Sequence, residues 1–132
     1  MVEHPPLWIG TLPVAPPSLN TYARMHWAAK RRVRDAFQWE VWAAINGGNG
    51  GERCPRGLER VELRAVLTFP VTRGRDSDNY GATLWKFVQD VLTRQGVIPD
   101  DTADRCTGYP PKIVVGKAES TLLMIYAMGR ET

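Results

Sequence analysis

Carboxylates at both ends of one stretch are the residues of this chain best suited to chemistry. The stretch runs from Arg73 to Asp101 and reads RGRDSDNYGATLWKFVQDVLTRQGVIPDD. Asp76 and Asp78 lie near its start, and Asp100 and Asp101 lie at its end. Mg²⁺ prefers hard oxygen ligands and is commonly held by one or two carboxylates, several waters and a substrate phosphate. The stretch therefore predicts a magnesium site at which a phosphodiester could be polarised and a water activated.

The spacing of these residues suggests separate roles for them. Asp76 and Asp78 are two positions apart, and in an extended segment such residues point to the same side, so both could face one metal ion. Asp100 and Asp101 are adjacent and should diverge, which leaves one of them as a primary ligand. Lys86 lies between the two pairs and could neutralise charge in the transition state or position the attacking water.

A purely structural interpretation of the same residues is the more common one for such spacing. Asp and Asn are preferred residues just before a helix, so Asp78 and Asn79 could simply begin one. Pro-Asp-Asp is an ordinary turn sequence. Lys86 and Asp90 form an i, i+4 pair, which commonly stabilises a helix surface.

An amphipathic helix is predicted between the two acidic ends. Gly96 is its expected C-cap, and the helix would separate carboxylates that flanking strands could fold towards one another. Its buried stripe follows the spacing i, i+4, i+7, i+8, i+11, i+12 and comprises Tyr80, Leu84, Phe87, Val88, Val91 and Leu92.

The remaining elements predict an α+β fold. Alternating or apolar runs predict strands, and a second helix precedes a glycine-rich loop. The expected order is β-α-β-α-β-β in a single domain over residues 1–132, with a mixed sheet, helices mainly on one face and the last two strands joined as a hairpin. The strands are expected at residues 7–12, 60–71, 113–115 and 121–128, and the second helix at residues 28–45.

Composition points to a soluble, cytoplasmic protein that handles an anionic partner. The formal charge is +3 over 132 residues, and no apolar run approaches the length of a membrane span. Cys54 and Cys106 are isolated and are expected to be free thiols. Basic residues cluster at positions 30–34, and two further arginines, Arg73 and Arg75, flank the acidic stretch. This distribution suits phosphate binding. A solvated helix face is an equally good explanation of the cluster at 30–34.

The polar and aromatic segment VAPPSLNTYARMHW (residues 14–27) is predicted to be a rigid loop, because its prolines disfavour a helix. The loop could contact nucleic acid. It could equally be a lid that packs Tyr22 and Trp27 on the core.

Two of these motifs together resemble the RusA family of crossover-junction endodeoxyribonucleases. The central stretch is similar to that family's pattern of an arginine-rich lead, D-x-D-N, a helix bearing K-x-x-x-D-x-L and a terminal D-D. The earlier APPSLNTYAR is similar to its P-P-S-x-N-x-Y-x-R element. The resemblance implies a small homodimer, often encoded by phages and prophages, that resolves four-way (Holliday) DNA junctions in recombination and repair by symmetric nicking with Mg²⁺, or with Mn²⁺ as a substitute.

Specific residues follow from the resemblance. It implies that Asp76, Asp78 and Asp101 are the catalytic metal ligands, that Lys86 is the catalytic lysine, and that Asn79, Asp90 and Asp100 are supporting. The candidates for DNA contact are Asn20, Tyr22, Arg24, Lys30, Arg31, Arg32, Arg73 and Arg75.

One departure from the family pattern leaves alternatives open. About four extra residues, roughly one helical turn, separate the D-x-D-N motif from Lys86. Gly81 could therefore mark the true start of the helix. A non-catalytic DNA-binding protein on the same fold is an alternative, as is a nuclease that prefers flaps or forks.

Overall fold

Three helices and five strands make up the described part of the chain, residues 4–128 of a computed structural model. Their order differs from the predicted one by a short first helix and a short third strand. The elements are β1 (Trp8–Leu12), α1 (Leu19–Ala23), α2 (Trp27–Ile45), β2 (Val61–Phe69), α3 (Ser77–Arg94), β3 (Cys106–Gly108), β4 (Lys112–Val115) and β5 (Ser120–Ala127).

Strand β2 is the centre of a mixed sheet. It pairs antiparallel with β5 along one edge and parallel with both β3 and β4 along the other, while β1 adds to β5. β3 and β4 lie end to end beside β2, because Pro110 and Pro111 lack the N–H groups that a continuous ladder needs. The predicted α+β class and mixed sheet are confirmed.

The predicted hairpin between the last two strands is wrong. β4 and β5 lie on opposite edges of β2 and do not pair with each other. Their connection passes over the end of β2, where the Gly116 N–H donates to the carbonyl of Phe69 at 3.1 Å. A Cβ on Gly116 would lie 2.4 Å from Cγ2 of Thr68, so any larger residue at this crossing requires the Thr68 side chain to shift.

Helices cover one face of the sheet. Alternate side chains of β2 are buried on the helix side, while those between them remain partly or fully exposed. α3 contributes its predicted stripe to this core, and every residue of that stripe is buried. The buried residues of β2 are Val61, Leu63, Ala65, Leu67 and Phe69.

The segment before α2 is not the pure loop that its prolines predict. Ser18 caps one turn of helix, α1, by accepting a hydrogen bond from the backbone N–H of Thr21. α2 begins at Trp27 after His26, whose Nδ1 accepts from the N–H of Ala28. The prolines therefore only delay the helical conformation, because proline is unfavourable inside a helix but tolerated before it.

Two further findings concern the thiols and the membrane. Cys54 and Cys106 are both free, as the sequence predicts, and the structure shows both to be buried. None of the helices within residues 4–128 has the length and apolar character needed to span a bilayer.

Candidate functional site

The start of α3 differs from the geometry expected for the first acidic pair. Asp76 is the N-cap, in extended conformation, and its Oδ1 accepts a hydrogen bond from the N–H of Asp78 at 3.0 Å. Asp78 is already in the first helical turn, where a negative charge is favourable to the helix dipole. The prediction that both residues share an extended segment is therefore wrong, and Gly81 does not mark the helix start.

The C-terminus of α3 also has clear local causes. The C-cap is Gln95, one residue before the predicted Gly96. Gly96 follows it with φ +74°. The N–H of Val97 donates to the carbonyl of Leu92, and the N–H of Gly96 to that of Thr93. These two bonds form a Schellman motif, which turns the chain towards the Asp100–Asp101 pair.

An elongated groove of about 510 Å³, called the first groove below, runs along α3. Successive turns of the helix line it with Asp78, Lys86 and Asp90. Asp78 and Asp90 are twelve residues apart on the same helix, which is about 18 Å along its axis. The groove is also lined by Asp101, which lies in the connection between α3 and β3.

The far wall of this first groove is held against α3 by Trp85. Its Nε1 donates to the carbonyl of Tyr109 at 2.8 Å. Its ring lies so close to Gly108 that a Cβ there would be 2.6 Å from Cγ of Trp85. On the helix itself, Gly81 allows a similar approach, because a Cβ on it would lie 3.3 Å from Cδ of Pro111.

Asp100 and Asp101 diverge as expected. Asp100 accepts hydrogen bonds from the N–H and the hydroxyl of Thr102, and these bonds lower the pKa of its carboxyl group. Asp101 instead lines the groove, and its charge is felt by the thiol of Cys106. Burial and, secondarily, this charge raise the pKa of Cys106 to about 12.

The structure brings four predicted residues into one groove but does not gather the carboxylates at one point. Asp78, Lys86, Asp90 and Asp101 line it, whereas Asp76 does not. Within residues 4–128, no three His, Cys, Asp or Glu side chains are grouped closely enough to hold a metal ion together. The available donors are carboxylate oxygens, which suit Mg²⁺, and a protein commonly supplies only one or two of its ligands.

The segment before α2 is fastened to the start of α3. The side-chain oxygen of Asn79 accepts from the N–H of Asn20 at 3.1 Å, and the hydroxyl of Thr83 donates to the carbonyl of Pro17 at 2.6 Å. Tyr22 packs edge-on against the Phe87 ring, with 5.3 Å between centroids. The lid interpretation is thus confirmed for Tyr22 and wrong for Trp27, which is 67% exposed.

None of the predicted DNA-contact residues, all of which lie in the described part of the chain, lines the first groove. Arg75 is engaged with its own chain: it donates to the hydroxyl of Tyr80 and to the carbonyl of Val71, and its guanidinium lies 3.9 Å from the centroid of Phe69. Lys30 places its Nζ over the ring of Tyr22. The exposed members of the set are Asn20, Arg24, Arg31, Arg32, Arg73 and Arg75.

A second cleft of about 380 Å³ adjoins the first groove. Asp90 and Asp101 line both. The sequence analysis did not single out Gln38 and Arg94, which line this second cleft. The spacing of Lys86, Asp90 and Arg94 at i, i+4 and i+8 was a signal for Arg94, since it places all three on one side of α3. Nothing in the sequence indicated Gln38, because its contacts are with residues distant along the chain.

Comparison with known proteins adds no assignment, since no protein-family model matches the sequence and no curated protein matches it.

Proposed function

We propose that this protein is a Mg²⁺-dependent endodeoxyribonuclease that resolves four-way DNA junctions by symmetric nicking. The observation that carries the proposal is the first groove, where Asp78, Lys86 and Asp90 from α3 meet Asp101 from a separate segment. These are positions that match the RusA motif. A phosphodiester strand placed along the groove would have carboxylates on either side of a cation.

The residues of the groove have distinct proposed roles. Lys86 lies one turn from Asp90 and would hold a non-bridging oxygen of the scissile phosphate, because its ammonium is the cation lining the first groove. Asp78 and Asp101 would hold the metal ion, with Asp76 beside Asp78 as a further ligand. Bound Mg²⁺ would act as a Lewis acid on the phosphate and lower the pKa of a water.

The spread of the carboxylates favours a second candidate function. Asp78 lies about 18 Å from Asp90 along the helix, and Asp90 lies with Asp101 in both clefts. If these groups do not converge when DNA binds, the protein would be a non-catalytic DNA-binding protein on the same fold. This candidate predicts junction binding without cleavage in any metal.

We also propose that the protein is a homodimer, because two sites related by a two-fold axis match a two-fold symmetric junction. Trp8 and Trp85 are buried, whereas Trp39 and Trp42 are 62% and 39% exposed and stack with centroids 4.9 Å apart. Tryptophan is enriched in the centres of protein interfaces. A monomeric mass from light scattering at micromolar concentration would refute the dimer, and a dimer that survives W39A/W42A would refute this surface.

A cleavage panel over four-way junctions, forks, flaps and duplexes in Mg²⁺ or EDTA tests the nuclease. Asp78→Asn and Asp101→Asn are expected to abolish cutting while binding persists. Asp90→Asn reports whether the metal lies at the Asp90 end of the groove. Asp104→Asn is the matched control, because it is exposed, lies close in sequence and does not line either cleft.

Normal cutting by both of the first two variants would refute the site. Junction binding with no cutting in any metal would favour the second candidate.

A further inference from the structure

The second cleft carries two arginines beside the carboxylates of the first groove. Arg34 comes from α2 and Arg94 from the last turn of α3. Because Asp90 and Asp101 line both clefts, the two clefts are adjacent along α3. Together they extend from Asp78 to Arg94, sixteen residues of helix, or about 24 Å.

The Arg94 guanidinium is held in place by neutral partners. Its Nε donates to the carbonyl of Asp90 at 3.3 Å, and one terminal nitrogen donates to Oε1 of Gln38 at 3.1 Å. Gln38 is 8% exposed and is itself fixed by donating to the carbonyl of Phe87 at 3.1 Å. A buried amide thus orients the guanidinium without neutralising its charge.

Arg34 differs from Arg94 because it is already paired. Its guanidinium forms a salt bridge with Asp35 at 3.2 Å. Three carboxylates, those of Asp35, Asp90 and Asp101, line the second cleft with the two arginines. Among the described residues, Arg94 is the positive group of this cleft that forms no salt bridge. A planar guanidinium with a free edge suits a phosphate, which it can bind through two parallel hydrogen bonds.

We infer that the second cleft is a phosphate subsite, in which Arg94 binds a backbone phosphate flanking the one at the Lys86 centre. Gln38 is a positioning residue for Arg94. The inference rests on the proposed function for its ligand, a DNA strand. It adds a course for the DNA strand over the protein surface, from the first groove past Asp90 towards α2.

The salt dependence of junction binding in EDTA tests this subsite. Each phosphate contact contributes about 0.9 to the slope of log K against log salt on duplex DNA. Arg94→Gln is expected to lower that slope by about 0.9 and to weaken binding by roughly 10- to 150-fold at low salt, since a bond to a charged group is worth about 1.5–3 kcal/mol. Arg53→Gln makes the same charge change at an exposed position outside both clefts, and should alter neither quantity.

A strand series with single uncharged methylphosphonates locates the contact. Wild-type protein should lose affinity at one position flanking the branch, and Arg94→Gln should show no further loss there. Gln38→Met should weaken binding while retaining the salt slope, because the arginine remains but is no longer oriented. Circular dichroism of each variant checks its fold.

The outcomes separate this inference from the proposed function. If wild-type protein binds and cuts junctions but Arg94→Gln behaves as Arg53→Gln does, the subsite is refuted and the nuclease stands. A weaker Arg94→Gln variant with an unchanged slope also refutes it, since the arginine would then act through structure. If wild-type protein binds no DNA, both are refuted.

Discussion

The contact between Trp85 and the β3–β4 connection leads to a quantitative prediction. Trp85→Phe removes the hydrogen bond to the carbonyl of Tyr109 and leaves a gap beside Gly108, because the ring is only 8% exposed and packs directly on that glycine. Loss of the bond should cost about 1 kcal/mol. The missing part of the ring should cost a further 1–2 kcal/mol or so. We expect the free energy of unfolding to fall by about 2–3 kcal/mol.

This loss translates into a measurable melting temperature. An unfolding entropy of about 2.1 cal/mol/K per residue gives about 0.28 kcal/mol/K for 132 residues, so the midpoint should fall by about 7–11 °C. Trp27→Phe is the matched control, because the same change at a 67% exposed side chain should shift the midpoint by less than about 2 °C. Thermal unfolding followed by circular dichroism measures both. If the two variants melt together, Trp85 does not hold the groove wall.

Two further predictions concern stability. The Arg56 guanidinium donates four hydrogen bonds, one to the carbonyl of Cys54 and three that join the C-terminal ends of α2 and α3. Arg56→Lys should therefore lower the urea midpoint by an amount equivalent to about 2–4 kcal/mol, while exposed Arg53→Lys should not. Burial raises the pKa of Cys54 to about 11 and that of Cys106 to about 12, from 9.0. The unfolded chain then releases these protons first, so stability should be full below about pH 9 and fall as the pH rises towards 11 and 12. Urea unfolding between pH 8 and 10.5 should show this decline, and its persistence in a Cys54→Ala/Cys106→Ala variant would contradict the assignment.

Elements with a strong local signal were predictable from the sequence. The apolar stripe of α3 was correct at every position, because helical periodicity alone determines which side of an amphipathic helix is buried. The buried face of α2 follows the same periodicity, with Phe37, Val41, Ala44 and Ile45 buried and Val33 half-buried. β2 was recognisable from its alternation, which the covered sheet face requires.

Weak local signals led to errors, and those in the strands were decided by a distant partner. Strand β3 has three residues, too few for a pattern, and forms because β2 offers it an edge. β4 and β5 look like a hairpin in the sequence, yet each finds a longer partner in β2 than in the other. Asp76 became an N-cap because the unpaired N–H of Asp78 needed an acceptor.

For the candidate site, residue type and order along the chain nominated Asp76, Asp78, Lys86 and Asp101, and the family resemblance added Asp90. All of these except Asp76 line one groove. The sequence could not give their separation, since that depends on how far α3 carries Asp78 from the segment that returns with Asp101. Nor could it predict the hydrogen bond between Gln38 and Arg94, which are 56 residues apart. Local hydrogen bonding and periodicity are encoded within a few residues, whereas a groove is formed by segments that meet only when the sheet and helices pack.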